Sequence, residues 1–452
     1  MSDAPFPKRP GSSQGSPPGS SPGSGGPIQP AVGHSGDRTE DYRLRQACGL
    51  CHHPALDPVL ALTPSPIANA FVLPENAGDP QPRLPLDLVR CRACGHVQLL
   101  QIVDRFRVFS RSYDPHEASP AMTAHLKAFA RYLMERFPSA SDALVVDIGA
   151  NDGTFLKAFD DAGRRVQGIE PATNLAARAV AKGIRTHAGF FLPAVADRLE
   201  EERGRAAYVT AQMAFAEAEK PGELLEAVGL ILARDGVFAF EVAYLGALIE
   251  QTAFDSITHR ILDYHALAPL IRFFAANDFE IIAVDRTPPH RGSLRGIAQR
   301  LGGPYPRDPA VDELLAAEAT TGLADPQTYE ALAERIARKT AVLAGRLLAL
   351  KAAGRRIVGY GATACATTLL AHLALDDDLL DFVCDDTPDK QGLRLPGTDV
   401  VIRSGEALNE KPRPDVALVL AWNHADAIIA RHPRFRAEGG RFLVPLPSLR
   451  EI

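Results

Sequence analysis

Twice in 452 residues an apolar run breaks into a glycine-bearing turn and then a helical stretch. The first break is VVDIGANDGTFLKAF at 145–159 and the second is IVGYGATACATTLL at 357–370. Strands and helices alternate around each. ALVVDIG, RRVQGIEP, AAYVTA and GVFAFEV make the first series; RRIVGYGA, LLDFVCDD, PDVALVLAW and RFLVPLP make the second. Such alternation lays parallel strands side by side with helices on both faces. The chain is therefore predicted to be α/β, with Rossmann-like units at 111–300 and 351–452. Between them, at 301–350, ADPQTYEALAERIARKTAVLAGRLLALKAAG reads as one or two amphipathic connecting helices. Residues 1–40, rich in Ser, Gly and Pro, cannot bury enough apolar surface to order themselves and are predicted to be a disordered tail. Residues 41–110 are turn-rich and hold four of the six cysteines.

Those four form two pairs, Cys48-Gly-Leu-Cys51 and Cys91-Arg-Ala-Cys94, separated by 39 residues. Two such knuckles supply the thiolates of a tetrahedral Zn²⁺ site with no open position, hence a structural one. His52 and His53 are expected at the surface, and Cys365 and Cys384 in the core. Six cysteines are too few for a disulfide scaffold, and the N-terminus has no apolar signal segment. No apolar run approaches the roughly 20 residues that span a bilayer. A net charge of −6 gives no footprint for nucleic acid. The expectation is a cytoplasmic protein with a small-molecule substrate, neither nucleic-acid-binding nor membrane-bound.

The first glycine turn has the form D-x-G-x-x-x-G. Asp147, Gly149 and Gly153, with Asn151 and Asp152 between the glycines, follow a strand and open a helix. The pattern lacks the G-x-G-x-x-G that holds a pyrophosphate. It suits S-adenosylmethionine, which has no phosphate, and Glu170 at the end of the next strand is placed to take both ribose hydroxyls. The second turn, Gly359-Tyr-Gly361-Ala-Thr-Ala364 with Asp385 downstream, reads by itself as a dinucleotide fingerprint. An NAD-dependent oxidoreductase is accordingly an alternative, as is tight packing of small residues.

The CxxC pairs, VVDIGANDGTFL, IEPATNLA, GVFAFEV, HRGSLR, GYGATAC, FVCDDTPDKQGLRLPGT and LAWNHAD occur together and in this order. With them the chain resembles, over roughly residues 45–450, the zinc-binding, S-adenosylmethionine-dependent C-methyltransferases of deoxysugar biosynthesis, which act on nucleotide-linked keto-sugars. The resemblance implies a zinc module that helps cover the substrate, a central class I methyltransferase domain and a C-terminal domain that helps bind the nucleotide sugar. It implies donor contact by Gln212. It also implies substrate contacts at His290, Ser293, Arg295, Gly359, Gly361, Asp385 and Lys390.

The chain departs from the family where the chemistry happens. The family's Tyr-His-Glu-His reads Thr258-His259-Arg260-Ile261 here, so the usual base position cannot accept a proton. The family's T-A-N-N-V-F-A-H reads Thr210-Ala-Gln212-Met213-Ala-Phe-Ala-Glu217. Within FDSITHRILDYH, His259, Tyr264 and His265 remain as candidates for proton transfer or substrate orientation. His259 shares the face of Ile261 on a strand, and His265 shares it on a helix. The expectations are methyl transfer with altered acid/base residues, or a scaffold that binds the donor and a nucleotide sugar without methylating.

Overall fold

The computed structural model describes residues 41–375 and 378–452. The predicted tail, 1–40, and the side chain of His290 lie outside the described part.

The N-terminal module is built from short antiparallel strands. β1 (Tyr42–Leu44) pairs with β5 (Gln101–Val103), and β2 (Leu56–Ser65), β3 (Leu84–Cys91) and β4 (Val97–Leu99) form a meander. Two helices lead out of it. α1 (Arg105–Phe109) is capped by the Asp104 carboxylate, and α2 (Pro120–Arg136) starts at Ser119, whose hydroxyl accepts from the Met122 amide. α2 buries Leu126, Phe129, Ala130 and Leu133, a stripe at helical spacing.

The central unit runs β6 (Leu144–Ile148), α3 (Thr154–Asp160), β7 (Arg165–Glu170), α4 (Thr173–Ala181), β8 (Thr186–Ala188), α5 (Pro193–Arg203), β9 (Ala206–Gln212), α6 (Pro221–Ile231), β10 (Leu232–Ala243) and α7 (Leu245–Gln251). It continues through β11 (Asp263–Tyr264), α8 (Leu267–Ala276), β12 (Phe279–Thr287) and β13 (Ser293–Arg300). Its sheet has the order β12-β13-β10-β9-β6-β7-β8, with β13 antiparallel to both neighbours. This is the class I methyltransferase arrangement. Strand alternation sorts the side chains. Phe238, Phe240 and Val242 of β10 face one core layer, while Val237 and Ala239 face the layer beneath α2 and α3. β11 leaves the central unit and pairs with β4, so the small sheet reads β11-β4-β3-β2.

The connector is α9 (Ala310–Thr321) and then one long helix, α10 (Pro326–Ala352). The C-terminal unit is β14 (Ile357–Tyr360), α11 (Ala364–Leu373), β15 (Val383–Cys384), β16 (Ile402–Arg403), β17 (Val416–Val419), β18 (Arg441–Val444) and β19 (Arg450–Glu451), in the order β16-β15-β14-β17-β18-β19. Tyr329, Leu332, Ile336, Leu343, Leu347 and Leu350 of α10 join one apolar core with β2, β3 and the C-terminal sheet. The module, the connector and the C-terminal unit thus share a core. Among the described residues no helix is long and apolar enough to cross a membrane.

Candidate active site

The two CxxC turns converge. In each, an amide four residues on donates back to the first cysteine: His52 N to Cys48 O and Gly95 N to Cys91 O, both 3.0 Å. The four Sγ atoms lie within 4.8 Å of one another, with Cys48–Cys94 at 3.6 Å and Cys51–Cys91 at 3.5 Å. Thiolates about 2.3 Å from a central ion stand about 3.8 Å apart in a tetrahedron, so Cys48, Cys51, Cys91 and Cys94 fit a closed structural Zn²⁺ site. His52 and His53 are exposed, as expected. His96, just past the second knuckle, places Nε2 2.8 Å from Asp263 Oδ1, which fastens β11 to the zinc module.

The donor turn is shaped by backbone that only certain residues accept. Gly149 and Gly153 have φ of +75° and +79°, and Asn151 has +53°, the left-handed region where Asn is tolerated. Glu170 holds the turn from the next strand: its carboxylate accepts from Asn151 N at 2.8 Å and Ala172 N at 2.7 Å. Each oxygen keeps a further lone pair for a ligand. Burial raises the Glu170 carboxyl above its usual range despite those two amides. Asp147, 1% exposed, accepts a 2.6 Å hydrogen bond from Thr210 Oγ1, and burial lifts its carboxyl to about 7. Asp152 is a scaffold residue: it accepts from Thr154 N and Glu117 N and pairs with Lys182 at 3.0 Å. At the end of β9 both polar atoms of the Gln212 side chain are buried without a partner. A buried amide with no bond costs about 1–3 kcal/mol, so this group fits a site that a polar ligand completes. Together Asp147, Asn151, Glu170 and Gln212 offer what the amino-acid and ribose ends of S-adenosylmethionine require.

A loop covers this turn. His116 N donates to Asn151 Oδ1 at 3.0 Å, and Asn151 Nδ2 donates to Asp114 O at 3.2 Å. The C-terminal unit grips the same loop: Lys390 Nζ lies 2.5 Å from Asp114 Oδ1 and donates to Ala362 O at 2.9 Å. Burial works to raise the Asp114 carboxyl, but Lys390 outweighs it and the net shift is downward.

The three residues chosen for proton chemistry are not brought to this cleft. His259 is 2% exposed, its Nε2 faces Pro85 O at 3.1 Å, and burial lowers it to about 4. Tyr264 is fully buried, its hydroxyl accepting from Thr258 N, and burial raises it far above the phenol range. His265 lies between the rings of His96 and Phe215, with neither nitrogen bonded, and burial lowers it to about 3. The segment is neither the helix nor the long strand weighed for it. It is a single 3-10 turn (Phe254–Ser256), a second turn and then the two-residue strand β11. Arg260 is its side chain that reaches the cleft, 3.4 Å from Glu217 Oε1 and stacked over the Phe109 ring.

The expected substrate residues divide. Lys390 bridges to the donor loop. Asp385 accepts from Ala362 N at 2.8 Å and Thr387 N at 2.9 Å, so it shapes the second glycine turn. A Cβ on Gly361 would meet Ala421 at 2.5 Å, and one on Gly359 would meet Val383 at 2.7 Å. Both glycines stand where a side chain would collide with a neighbouring strand or the segment after one, so packing accounts for them. Ser293 is buried, donating to Pro289 O at 3.1 Å. Arg295 binds Glu241, with Nε to Oε1 at 2.7 Å, and Glu241 also meets His125 Nε2 at 3.0 Å. In the sequence His125 stands out only as a match, with Ser119 and Pro120, to a substrate loop of the resembled family, and Glu241 carries no assigned role. A lone carboxylate inside the apolar strand GVFAFEV was the available signal.

Between the central and C-terminal units lies a cleft of about 460 Å³ lined by Arg286, Arg291, Arg450, Gln251, Asn423 and Trp422, among others. Arg291 reaches Asp255 Oδ2 at 3.1 Å and stacks over Trp422 at 4.8 Å.

Residues 48–109 match a zinc binding domain family, 122–284 a methyltransferase domain family and 288–447 a family described as the C-methyltransferase C-terminal domain. The C-methyltransferase NovU of Streptomyces niveus is 32% identical over 405 residues, covering 90% of this chain and 96% of its own. Among solved structures, magnesium protoporphyrin IX methyltransferase of Synechocystis PCC 6803 with bound SAM is 14% identical over 39% of this chain and 79% of its own, with a TM-score of 0.31. The PH0226 protein of Pyrococcus horikoshii OT3 is 16% identical over 43% and 97%, with a TM-score of 0.34.

Proposed function

Because the chain belongs to the S-adenosylmethionine-dependent C-methyltransferases that carry an N-terminal zinc-binding domain, we propose that its acceptor is a nucleotide-linked keto-sugar, methylated on a carbon beside the ketone. The observation that carries this reading is the arginine-lined cleft at the same carboxyl edge of the central sheet as the donor turn. Arg291 and Gly292 directly precede Ser293, which pairs with Ala243 at the end of β10. Three guanidiniums suit a diphosphate that would compete with their present carboxylate partners (Glu250 for Arg286, Asp255 for Arg291 and Asp426 for Arg450), and Trp422 offers an aromatic wall.

Glu170, Asn151, Asp147 and Gln212 hold the donor in this reading. When bound, S-adenosylmethionine supplies an electrophilic methyl group. The chain's own residues anchor the anionic end of the acceptor, keep its keto carbon against the donor side and exclude water beneath the 112–119 loop. Lys390 ties acceptor and donor sides together, since it bridges the C-terminal turn and that loop. An NAD-dependent oxidoreductase draws no support here, because close packing of Gly361 against Ala421 accounts for the second glycine turn without a dinucleotide.

The test is turnover over a panel of nucleoside-diphosphate keto-sugars with S-adenosylmethionine. Mass spectrometry should find a product heavier by one methylene, and NMR should place the new methyl on carbon. A methyl on oxygen or nitrogen, or no product from any keto-sugar, would reject the acceptor class.

A further inference from the structure

We propose that His125 is the proton acceptor of this enzyme, held by Glu241 and Arg295, in place of the family histidine whose position Ile261 occupies. The inference rests on the keto-sugar reading above.

The geometry begins with the sheet. Asp147, Thr210 and Gln212 stand opposite in parity to the residues of β6 and β9 that fill the α6–α8 core layer, so they face the α2–α3 side. Glu241 shares the parity of Ala239 and faces the same side. It is registered beside Gln212 on the next strand, and its carbonyl accepts from Met213 N at 2.8 Å. The ribose carboxylate, Glu170, is on β7, and Gln212 is on β9, two strands along. The acceptor must approach from the remaining side, over β10 and β13, and this is where Glu241 and Arg295 stand.

His125 comes down from α2 onto that spot. Its Nε2 lies 3.0 Å from both oxygens of Glu241. Nε2 also lies 3.2 Å from Arg295 Nη2, a donor, but the two carboxylate oxygens are closer and accept only, so the hydrogen is assigned to Nε2 and the lone pair to Nδ1. Nδ1 has no protein partner among the described residues, and the side chain is 17% exposed. Arg295 donates from Nε to Glu241 Oε1 at 2.7 Å, and its guanidinium lies 3.7 Å from the Phe129 ring centroid. Burial would raise Glu241, but His125 and Arg295 outweigh it, so the carboxylate stays charged. The charged or titratable groups facing His125 are therefore Glu241 from β10 and Arg295 from β13. An oriented imidazole with one nitrogen on a carboxylate and the other free is the arrangement a general base needs.

Four of the other candidates are otherwise engaged, and His116, on the loop over the donor turn, keeps its Nδ1 buried rather than open to an acceptor. His259 and His265 are sealed in the core, Glu217 faces Arg260, and Asp114 is paired with Lys390. In the step proposed, the C–H bond beside the ketone breaks, its proton passes to His125 Nδ1, and its electron pair moves onto the carbonyl oxygen as an enolate. The enolate carbon is then the nucleophile: its new bond to the methyl would form as the donor's S–C bond breaks, the electron pair staying on sulfur in the departing S-adenosylhomocysteine.

The proton step is measured without any donor. Each keto-sugar that wild type methylates is incubated with enzyme in D₂O, and uptake of deuterium at the carbon is followed by mass spectrometry. His125→Ala should exchange at least about 100-fold more slowly, since positioned proton transfer is worth about 10²–10⁴ in rate. Added imidazole should restore exchange to His125→Ala, which a purely structural role would not allow. Glu241→Gln should slow exchange with KM near wild type. Melting temperature and zinc content verify folding, and His125→Gln serves as a second variant.

Undiminished exchange in either His125 variant overturns the assignment. So does loss in both variants, in folded protein, that imidazole leaves unrestored. Wild type that neither exchanges nor methylates any keto-sugar instead removes the acceptor reading on which the proposal stands.

Discussion

Asp147 offers a prediction whose size follows from the structure. Its carboxyl is 1% exposed, receives one hydrogen bond, from Thr210, and has Glu170 as a like-charged neighbour. Burial, the largest of these effects, lifts it to about 7. An unfolded aspartate titrates near 3.9, and each unit of difference is worth 1.36 kcal/mol, so ionised Asp147 costs the empty protein about 4 kcal/mol. A raised folded-state pKa means that the folded chain holds the proton more tightly than the unfolded chain. Its contribution to stability therefore falls as pH rises from about 4 to about 7 and is flat above that. Asp147→Asn removes the penalty, because asparagine imitates the protonated acid. Urea unfolding of the ligand-free protein should show the variant more stable than wild type, by about 1–2 kcal/mol at pH 5 and about 4 kcal/mol at pH 8. Binding should go the other way. A cationic donor favours the charged carboxylate, so wild type should release a proton on binding S-adenosylmethionine near pH 6, seen as a buffer-dependent calorimetric enthalpy, and Asp147→Asn should not. A variant no more stable than wild type at pH 8, or an advantage independent of pH, would refute the reasoning.

Other perturbations reach other parts of the molecule. Elemental analysis should find one zinc per chain, and Cys91→Ser should lose it and unfold the N-terminal module, since structural zinc contributes roughly 10 kcal/mol or more of binding energy to folding. Glu170→Ala should weaken S-adenosylhomocysteine binding by about 2–3 kcal/mol, roughly 30–150-fold by calorimetry. It should also lower the melting temperature of the empty protein, because Asn151 N and Ala172 N lose their acceptor. Glu318 accepts from Leu267 N and Ala268 N at the start of α8 from a buried position, so Glu318→Ala should destabilise by about 2–3 kcal/mol in urea with donor affinity unchanged.

What could be read from the letters was local. Asp147, Gly149, Gly153 and Glu170 announce a donor turn because turn, helix start and next strand end lie within two dozen residues, and short-range geometry leaves few alternatives. The cysteines are legible because a ligand set is defined by residue type and spacing. His125, Glu241 and Arg295 are spread over 170 positions and meet only because α2, β10 and β13 are assembled by the sheet. The second glycine turn left its alternatives open for a related reason. A G-x-G-x-x-A pattern states that backbone must come close to something, but not whether that is a phosphate or, as for Gly361, the backbone and methyl of Ala421.

The segment FDSITHRILDYH joins both lessons. Helix or strand was the natural choice for its letters, yet its conformation is dictated from outside: β4 takes Asp263 and Tyr264 as an edge strand, and His96 fixes Asp263 from the zinc module. That docking turns His259 and His265 inward and leaves Arg260 facing the cleft. Arg260 stands where the resembled family has glutamate, and Glu217 stands where it has histidine. In sequence these are two unrelated losses, 43 residues apart. In the structure the two side chains meet at 3.4 Å, both 18% exposed. The family pattern would set a basic group at 217 against an acid at 260; here an acid at 217 faces a base at 260, so opposite charges meet with the sign reversed. Burial raises the Glu217 carboxyl and Arg260 opposes it, so either substitution alone would leave a buried charge uncompensated, at a cost of about 3–5 kcal/mol. The two departures from the family pattern are therefore one structural feature, an ion pair in which each side chain answers the other's charge.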